Sequence, residues 1–262
     1  IMASIVQGQG IATENKERGF LSVLKVNLSI FKAKGFDGQF TYWHFDLNCG
    51  SGHNDKADCI GSPLAFIHAA QLAGVNRYYA GLCDVDETKL DELMKRDGVK
   101  GNYRCFPFHG ANTSLIEAIP ALIGRTENCK HAMGTILVDP TDTEFPFDEL
   151  AWLSAQCPKL DFVVNWNSRV FKLMQCHIWG KNKHTLRSAM ATLNKEYWLI
   201  RRPINHWTLL IGRNAKIGDH KHLGFYHLDS IEGQQIFNRC NYLNAENPDY
   251  IQMQQSQLAM GF

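Results

Sequence analysis

The sequence predicts an α/β protein. Its core is a mostly parallel, seven-stranded sheet with helices on both faces and a C-terminal antiparallel hairpin. Three observations lead there. Strand-length apolar runs alternate with helix-length amphipathic runs from Phe40 to Asn165. The run 134–138, stopped by Asp139-Pro140, has the composition of a strand buried on both faces. The last two strands are separated only by Arg202-Pro203-Ile204-Asn205, too short for a helical crossover. With 262 residues, 45% hydrophobic and 20% charged, the chain has the balance of a globular protein. Disordered, collagen-like and disulfide-dense classes are excluded. No apolar run reaches the roughly 18 residues a bilayer span needs.

Each element has a local reason. Phe20, Leu21, Leu24, Leu28 and Phe31 recur near helical spacing and predict an amphipathic helix over 16–34. A break at 35–39 leads into a first strand, 40–47, which ends in a glycine-rich turn. Residues 63–73 read as a helix, with Ser62 as N-cap and Pro63 at the first helical position. Strands follow at 77–83, 103–108, 134–138 and 160–165. Helices lie between them at 87–97, 114–123 (capped by Asn112 or Thr113) and 148–156. Two basic helices are expected at 168–177 and 183–193, then the hairpin strands 197–201 and 206–212. The expected division is an N-terminal helical segment (1–34), an α/β domain (35–214) and a C-terminal extension packed on it (215–262).

The eight cysteines form no C-x-x-C pair, so they read as reduced, mostly buried thiols. Ile1-Met2-Ala3-Ser4 shows no basic and apolar leader, and a cytoplasmic protein is expected. The net charge of +1 conceals an asymmetry. Between Asn165 and Phe225 eleven Lys and Arg oppose only Glu196 and Asp219, so this segment carries +9 and the remainder −8. A basic section on an acidic body suggests a polyanion partner, with nucleic acid the simplest. A solvated basic face without a partner is the competing reading.

In a doubly wound sheet, ligands sit at the carboxyl ends of the strands, where strand order reverses. The first strand exits through Asp46-Leu47-Asn48-Cys49-Gly50-Ser51-Gly52. Gly50 and Gly52 permit a tight turn and close backbone approach. Asp46 is a candidate acceptor for a ligand ammonium. The spacing is not the dinucleotide G-x-G-x-x-G, which disfavours a nicotinamide cofactor. The second strand ends Asp84-Val85-Asp86. Asp84 is the candidate for ribose hydroxyls, and Asp86 is equally well explained as a helix cap. After the fourth strand, Asp139 and Pro140 could orient a substrate amine for attack on a methyl sulfonium. After the fifth, Trp166 could stack on a base and Arg169 could hold a phosphate. In each case a turn residue or core aromatic is the plainer alternative. Asp219, His220, His222 and His227 are metal-ligand types without zinc-site spacing, and no metal is expected.

The element order is that of the class I methyltransferase fold. On these motifs, with Gly61-Ser62-Pro63-Leu64, Gly110-Ala111-Asn112, and Trp207-Thr208-Leu209-Leu210-Ile211-Gly212, the sequence resembles the three-Cys-motif partner proteins. That bacterial group is related to class I S-adenosylmethionine-dependent methyltransferases, and the resemblance covers about residues 16–214. It implies a Rossmann-like sheet with the hairpin at one edge. It also implies an S-adenosylmethionine pocket at Asp46, Asn48, Gly50, Gly52 and Asp84. After the third strand no acidic residue stands where such folds often bind the adenine amine, and Phe106, Phe108 or His109 would take that place by stacking or hydrogen bonding. Asn48 departs from the usual small residue. Asp139-Pro140-Thr141-Asp142 lacks the aromatic that adenine amino-methyltransferases carry there, with Phe145 or Phe147 the nearby substitute.

Two functions follow as expectations. The first is methyl transfer from S-adenosylmethionine to nucleic acid, DNA rather than RNA, at an exocyclic base amine. Phe145 or Trp166 would then stack the base, while Arg169, Lys181, Lys183 and Arg187 hold phosphates. The second is the same fold with weak or lost catalysis, binding nucleic acid or a partner protein.

Overall fold

The computed structural model describes residues 11–54, 58–139, 145–167, 190–202, 207–216 and 220–240. Helix α1 (Ile11–Ala33) leads into β1 (Tyr42–Asp46), a small ribbon of β2 (His53–Asn54) and β3 (Cys59–Ile60), and α2 (Ser62–Leu72). Then come β4 (Tyr78–Asp84), α3 (Glu87–Met94), β5 (Cys105–His109), α4 (Asn112–Gly124), β6 (Met133–Val138), α5 (Phe147–Gln156) and β7 (Leu160–Asn167). The chain finishes with β8 (Tyr197–Arg201), β9 (Trp207–Arg213), β10 (Phe225–His227) and α6 (Ile231–Cys240).

The main sheet has the order β10-β8-β9-β7-β6-β1-β4-β5. The five strands β5, β4, β1, β6 and β7 pair in parallel, with Tyr42 of β1 opposite Tyr78 on one side and Met133 on the other. The chain winds from β1 outward through β4 to β5, then crosses back to β6, so strand order reverses between β1 and β6. Two sheet expectations are corrected. The sheet has eight strands because β10, from the polar tail, adds antiparallel to β8. The hairpin is not the sheet edge. Its second strand, β9, inserts between β7 and β8, antiparallel to both. That insertion satisfies the ladder of β7 on the side where a parallel sheet would otherwise present a bare edge.

Strand alternation separates two cores. Trp43 and Phe45 of β1 and Leu47 just after it, with Ile136 and Val138 of β6, face α4, α5 and α6. Tyr42 of β1, Leu137 of β6 and Val163 of β7 face α1, α2 and α3. The α1 stripe Phe20, Leu24, Leu28 and Phe31 is buried there, each side chain contributing about 1.5–3 kcal/mol. Helix α1 runs antiparallel to β7. Its Lys16 reaches Asp139 and its Asn27 reaches Asp161 at the start of β7.

Two caps differ from expectation. The N-cap of α2 is Gly61, because the Ser62 hydroxyl is drawn to Asp46. The N-cap of α4 is Ala111, with Asn112 and Thr113 already inside the helix. Asp86 does cap α3, accepting from Thr88 N and Lys89 N. The expected basic helices at 168–177 and 183–193 lie outside the described residues except for their last turn, where 190–192 are helical. No described helix is long and apolar enough to cross a membrane.

Candidate active site

The β1 exit is organised by two carboxylates that hold backbone. Asp46 is fully buried; its Oδ1 accepts from Asn48 N at 3.2 Å and its Oδ2 from Ser62 Oγ at 2.6 Å. It therefore ties the turn after β1 to the first residue of α2. Asp84, at the end of β4, accepts from Gly50 N at 2.8 Å through Oδ2 and from Asp86 N at 2.9 Å through Oδ1. The loop is further fixed by Cys49 N to Cys83 O, Gly61 N to Gly52 O and Arg96 Nε to Ser51 O.

The two glycines have different reasons to be glycine. Gly52 has φ 74°, and a Cβ there would lie 2.5 Å from Leu93 Cδ1, so packing forbids a side chain. Gly50 has φ 59°, and a Cβ there would meet nothing within 4 Å. Open space lies over its backbone, at the carboxyl edge of the sheet. Beside it, the Asn48 Oδ1 atom is buried without a hydrogen-bond partner. A buried acceptor left bare costs about 1–3 kcal/mol, and a ligand donor would satisfy it. The loop thus fits a ligand rich in hydroxyl and amino donors. Asp84 keeps acceptor capacity on both oxygens, since a carboxylate has about four lone-pair sites. His109 ends β5, with Nε2 3.2 Å from Val85 O above the neighbouring strand.

The second half of the site lies across the switch point. Asp139 follows β6. Its Oδ2 receives Lys16 Nζ at 2.6 Å, and its Oδ1 receives Asn165 Nδ2 at 2.6 Å. Lys16, Glu17 and Phe20 of α1 roof a small cavity floored by Ser62, Leu137, Asp139, Asn165 and Leu209. The Asn165 Oδ1 atom is buried and without a partner. Burial pushes the Asp46 carboxyl up to about 7, only partly countered by Ser62 and Asn48. Burial also pushes Glu17 up to about 7, with Lys16 opposing and Asp139 and Asp46 reinforcing. Burial alone would lower Lys16, but Asp139 and Glu17 outweigh it and leave its ammonium held above its ordinary value. Perturbed groups gathered at a switch point mark a functional-site candidate.

The other residues singled out from sequence fall as follows. Trp166 is 4% exposed in the core, with Phe145 edge-on at 6.2 Å and Phe145 against Phe147 at 4.2 Å. Phe145 and Phe147 are only partly buried, so the accessible aromatic surface there is theirs. Pro140, Arg169, Lys181, Lys183 and Arg187 lie outside the described residues. Within the basic section, Lys195 is buried, bonded to Pro158 O and set 4.4 Å over the Phe162 ring. Arg213 is buried in a pair with Asp161. Two of the charges counted toward a polyanion surface are thus internal. No group of three described His, Cys, Asp or Glu side chains could hold a metal ion.

Sequence reasoning missed Lys16 and Glu17. The signal was available: both lie three or four residues before Phe20, extending the buried stripe of α1 with a charged pair.

No protein-family model matches the chain, and no curated protein matches its sequence. Among solved structures it is similar to LPL1258 of Legionella pneumophila str. Philadelphia 1, a DUF519 protein. The TM-score is 0.51 at 14% identity, over 78% of this chain and 88% of that one. It is also similar to human methyltransferase-like protein 13 in complex with SAH, with TM-score 0.48 and 15% identity over 88% and 92% of the two chains. A probable spermidine synthase from Corynebacterium glutamicum gives 0.48 and 10% over 93% and 76%. Likeness at this identity concerns the fold alone, a Rossmann-like, mostly parallel sheet flanked by helices.

Proposed function

We propose that the protein is an S-adenosylmethionine-dependent methyltransferase acting on nucleic acid, at an exocyclic amine of a DNA base. The observation that carries the cofactor is the β1 exit. Its open Gly50 backbone, bare Asn48 Oδ1 and Asp84 carboxylate present acceptors and close approach where the fold binds ligands. When bound, the cofactor supplies an electrophilic methyl group. Asn48 and Asp84 would hold its amino and hydroxyl donors, and His109 would flank its adenine. Phe145 offers a partly exposed ring for a base, and the basic section supplies phosphate contacts. The resemblance to the three-Cys-motif partner proteins belongs to this same proposal.

The test is calorimetric titration with S-adenosylmethionine, followed by transfer of labelled methyl into DNA, RNA and protein. We expect binding in the wild type and none in Gly50→Val, whose side chain would enter the open space. Unchanged affinity in that variant removes the site assignment. Label in DNA supports the acceptor; label confined to protein or small molecules overturns it. If DNA binds through phosphates, log affinity should fall against log salt with a slope of about −0.9 per contact. One observation favours a second reading, in which the fold binds without turnover. Both oxygens of Asp139 are already engaged by Lys16 and Asn165, leaving the expected amine position filled by the protein's own ammonium.

A further inference from the structure

Two carboxylates line the cavity under α1, Asp139 and Glu17, and a third, Asp46, lies behind it, bonded to the lining residue Ser62. Asp46 is bonded to Asn48 and Ser62. Asp139 is bonded to Lys16 and Asn165. Glu17 lines the same cavity, partly buried, and makes no hydrogen bond among the described residues. Among the described residues, Lys16 shares its helix, Asp139 acts on it from the end of β6 and Asp46 from β1, and Ser62 and Asn165 are the uncharged polar residues of the lining. The Lys16 ammonium is turned to Asp139, so it does not hold Glu17 in an ion pair.

We infer that Glu17 is the catalytic base of this site, accepting the proton that the methyl acceptor loses. The inference rests on the methyl-transfer reading above. As the acceptor nitrogen gives its lone pair to the new N–C bond, the C–S pair leaves on sulfur and nitrogen becomes formally cationic. Glu17 then takes the N–H proton, whose bonding pair restores the neutral amine, and the carboxyl returns the proton to water. A carboxylate suits this role when it is free of other bonds and titrates near working pH, where it can both accept the proton and release it. Burial, reinforced by Asp139 and Asp46 and opposed by Lys16, raises Glu17 into that range. Asp139 becomes a positioning residue: it anchors Lys16, and through it the first described turns of α1, over the cavity.

The experiment compares wild type, Glu17→Gln and Glu17→Asp, each checked for an unchanged melting temperature and S-adenosylmethionine affinity. Glu17→Gln should lose about a hundredfold or more in single-turnover rate and lose the rate increase with pH through neutrality. Glu17→Asp should keep that pH limb at a reduced rate. Independently of turnover, infrared titration should show near-neutral carboxyl protonation in the wild type, with one such group absent in Glu17→Gln. A Glu17→Gln protein that binds cofactor, transfers methyl within threefold of wild type and keeps its pH limb overturns the role of Glu17 while the function stands. A wild type that neither binds cofactor nor transfers methyl overturns both, and is told apart because no variant is needed to see it.

Discussion

Helix α1 is held to the sheet by a polar cluster at each end, and the two differ in charge balance. At the amino edge, Asp161 pairs with Arg213 through both carboxylate oxygens, and Asn27 of α1 bonds to each partner. One acid meets one base; burial pushes Asp161 up while Arg213 pulls it back. At the carboxyl edge, Glu17, Asp46 and Asp139 share one described cation, Lys16, and two of them titrate near 7. The closed pair matches charge with charge, and both carboxylate oxygens are bonded. The open cluster keeps an unbonded carboxylate, an orphan amide oxygen on Asn165 and a cavity. The comparison teaches that burial of charge does not by itself mark a site. An incomplete set of partners beside space for a ligand does.

The sharpest way to break this contrast is at the closed end. Arg213→Met leaves Asp161 buried and unpaired, and should cost about 3–5 kcal/mol in urea unfolding. A loss below about 1 kcal/mol would mean that the amino-edge pair is not the structural one.

A second test lies between the clusters. His44 points from β1 under α1, fully buried, its ring stacked 4.2 Å from Phe66 and neither nitrogen bonded. Burial lowers it to about 3. The unfolded chain therefore takes up a proton below about 6.5 that the folded chain refuses, and stability falls as pH drops through that window. His44→Phe removes the effect. Its melting temperature should exceed that of the wild type at pH 5, by a margin worth about 2 kcal/mol, and approach it at pH 8.

Third, Lys16→Met removes the one described cation of the open cluster. We expect about 1–2 kcal/mol of destabilisation at pH 8.5, between the values for exposed and buried pairs. The loss should shrink at pH 5.5, where Glu17 and Asp46 are protonated and no longer need it. Equal losses at both pH values would contradict the raised carboxyls.

The smallest effect is expected from Asp46→Asn. Asp46 binds its proton more tightly folded than unfolded, so its contribution to stability declines as pH rises from about 4 to 7. The asparagine carbonyl can still accept from Ser62. The variant should therefore match the wild type near pH 5 and gain on the order of 1 kcal/mol by pH 6. A variant that loses stability at pH 8 would show that the charge, not the hydrogen bond, holds the turn.

The sheet was legible because local pattern and global fold agree. The apolar runs in β1, β4, β6 and β7 need no partner to be recognised, and the glycine loop follows β1 at a fixed distance in sequence. Asp86 as a cap was also readable, since an N-cap bonds only to residues two or three ahead. Ser62 failed by the same logic. Its hydroxyl had a local option at the helix end and a distant one in Asp46, and only the folded chain offers the second.

What the sequence by itself determined, then, is the order and type of elements, the core stripe of α1 and the loop with its candidate residues Asn48, Gly50 and Asp84. These rest on periodicity, turn chemistry and contacts short in sequence. Tertiary structure alone decided the rest. It placed β9 inside the sheet and β10 at its edge, because strand pairing satisfies backbone donors across any sequence separation. It brought Lys16 to Asp139 across 123 positions, making α1 the roof of the site. It divided the basic residues into surface and interior, burying Lys195 and Arg213. Charge, burial and hydrogen bonding are properties of neighbours in space, and a residue's chemistry is set only once the fold has chosen them.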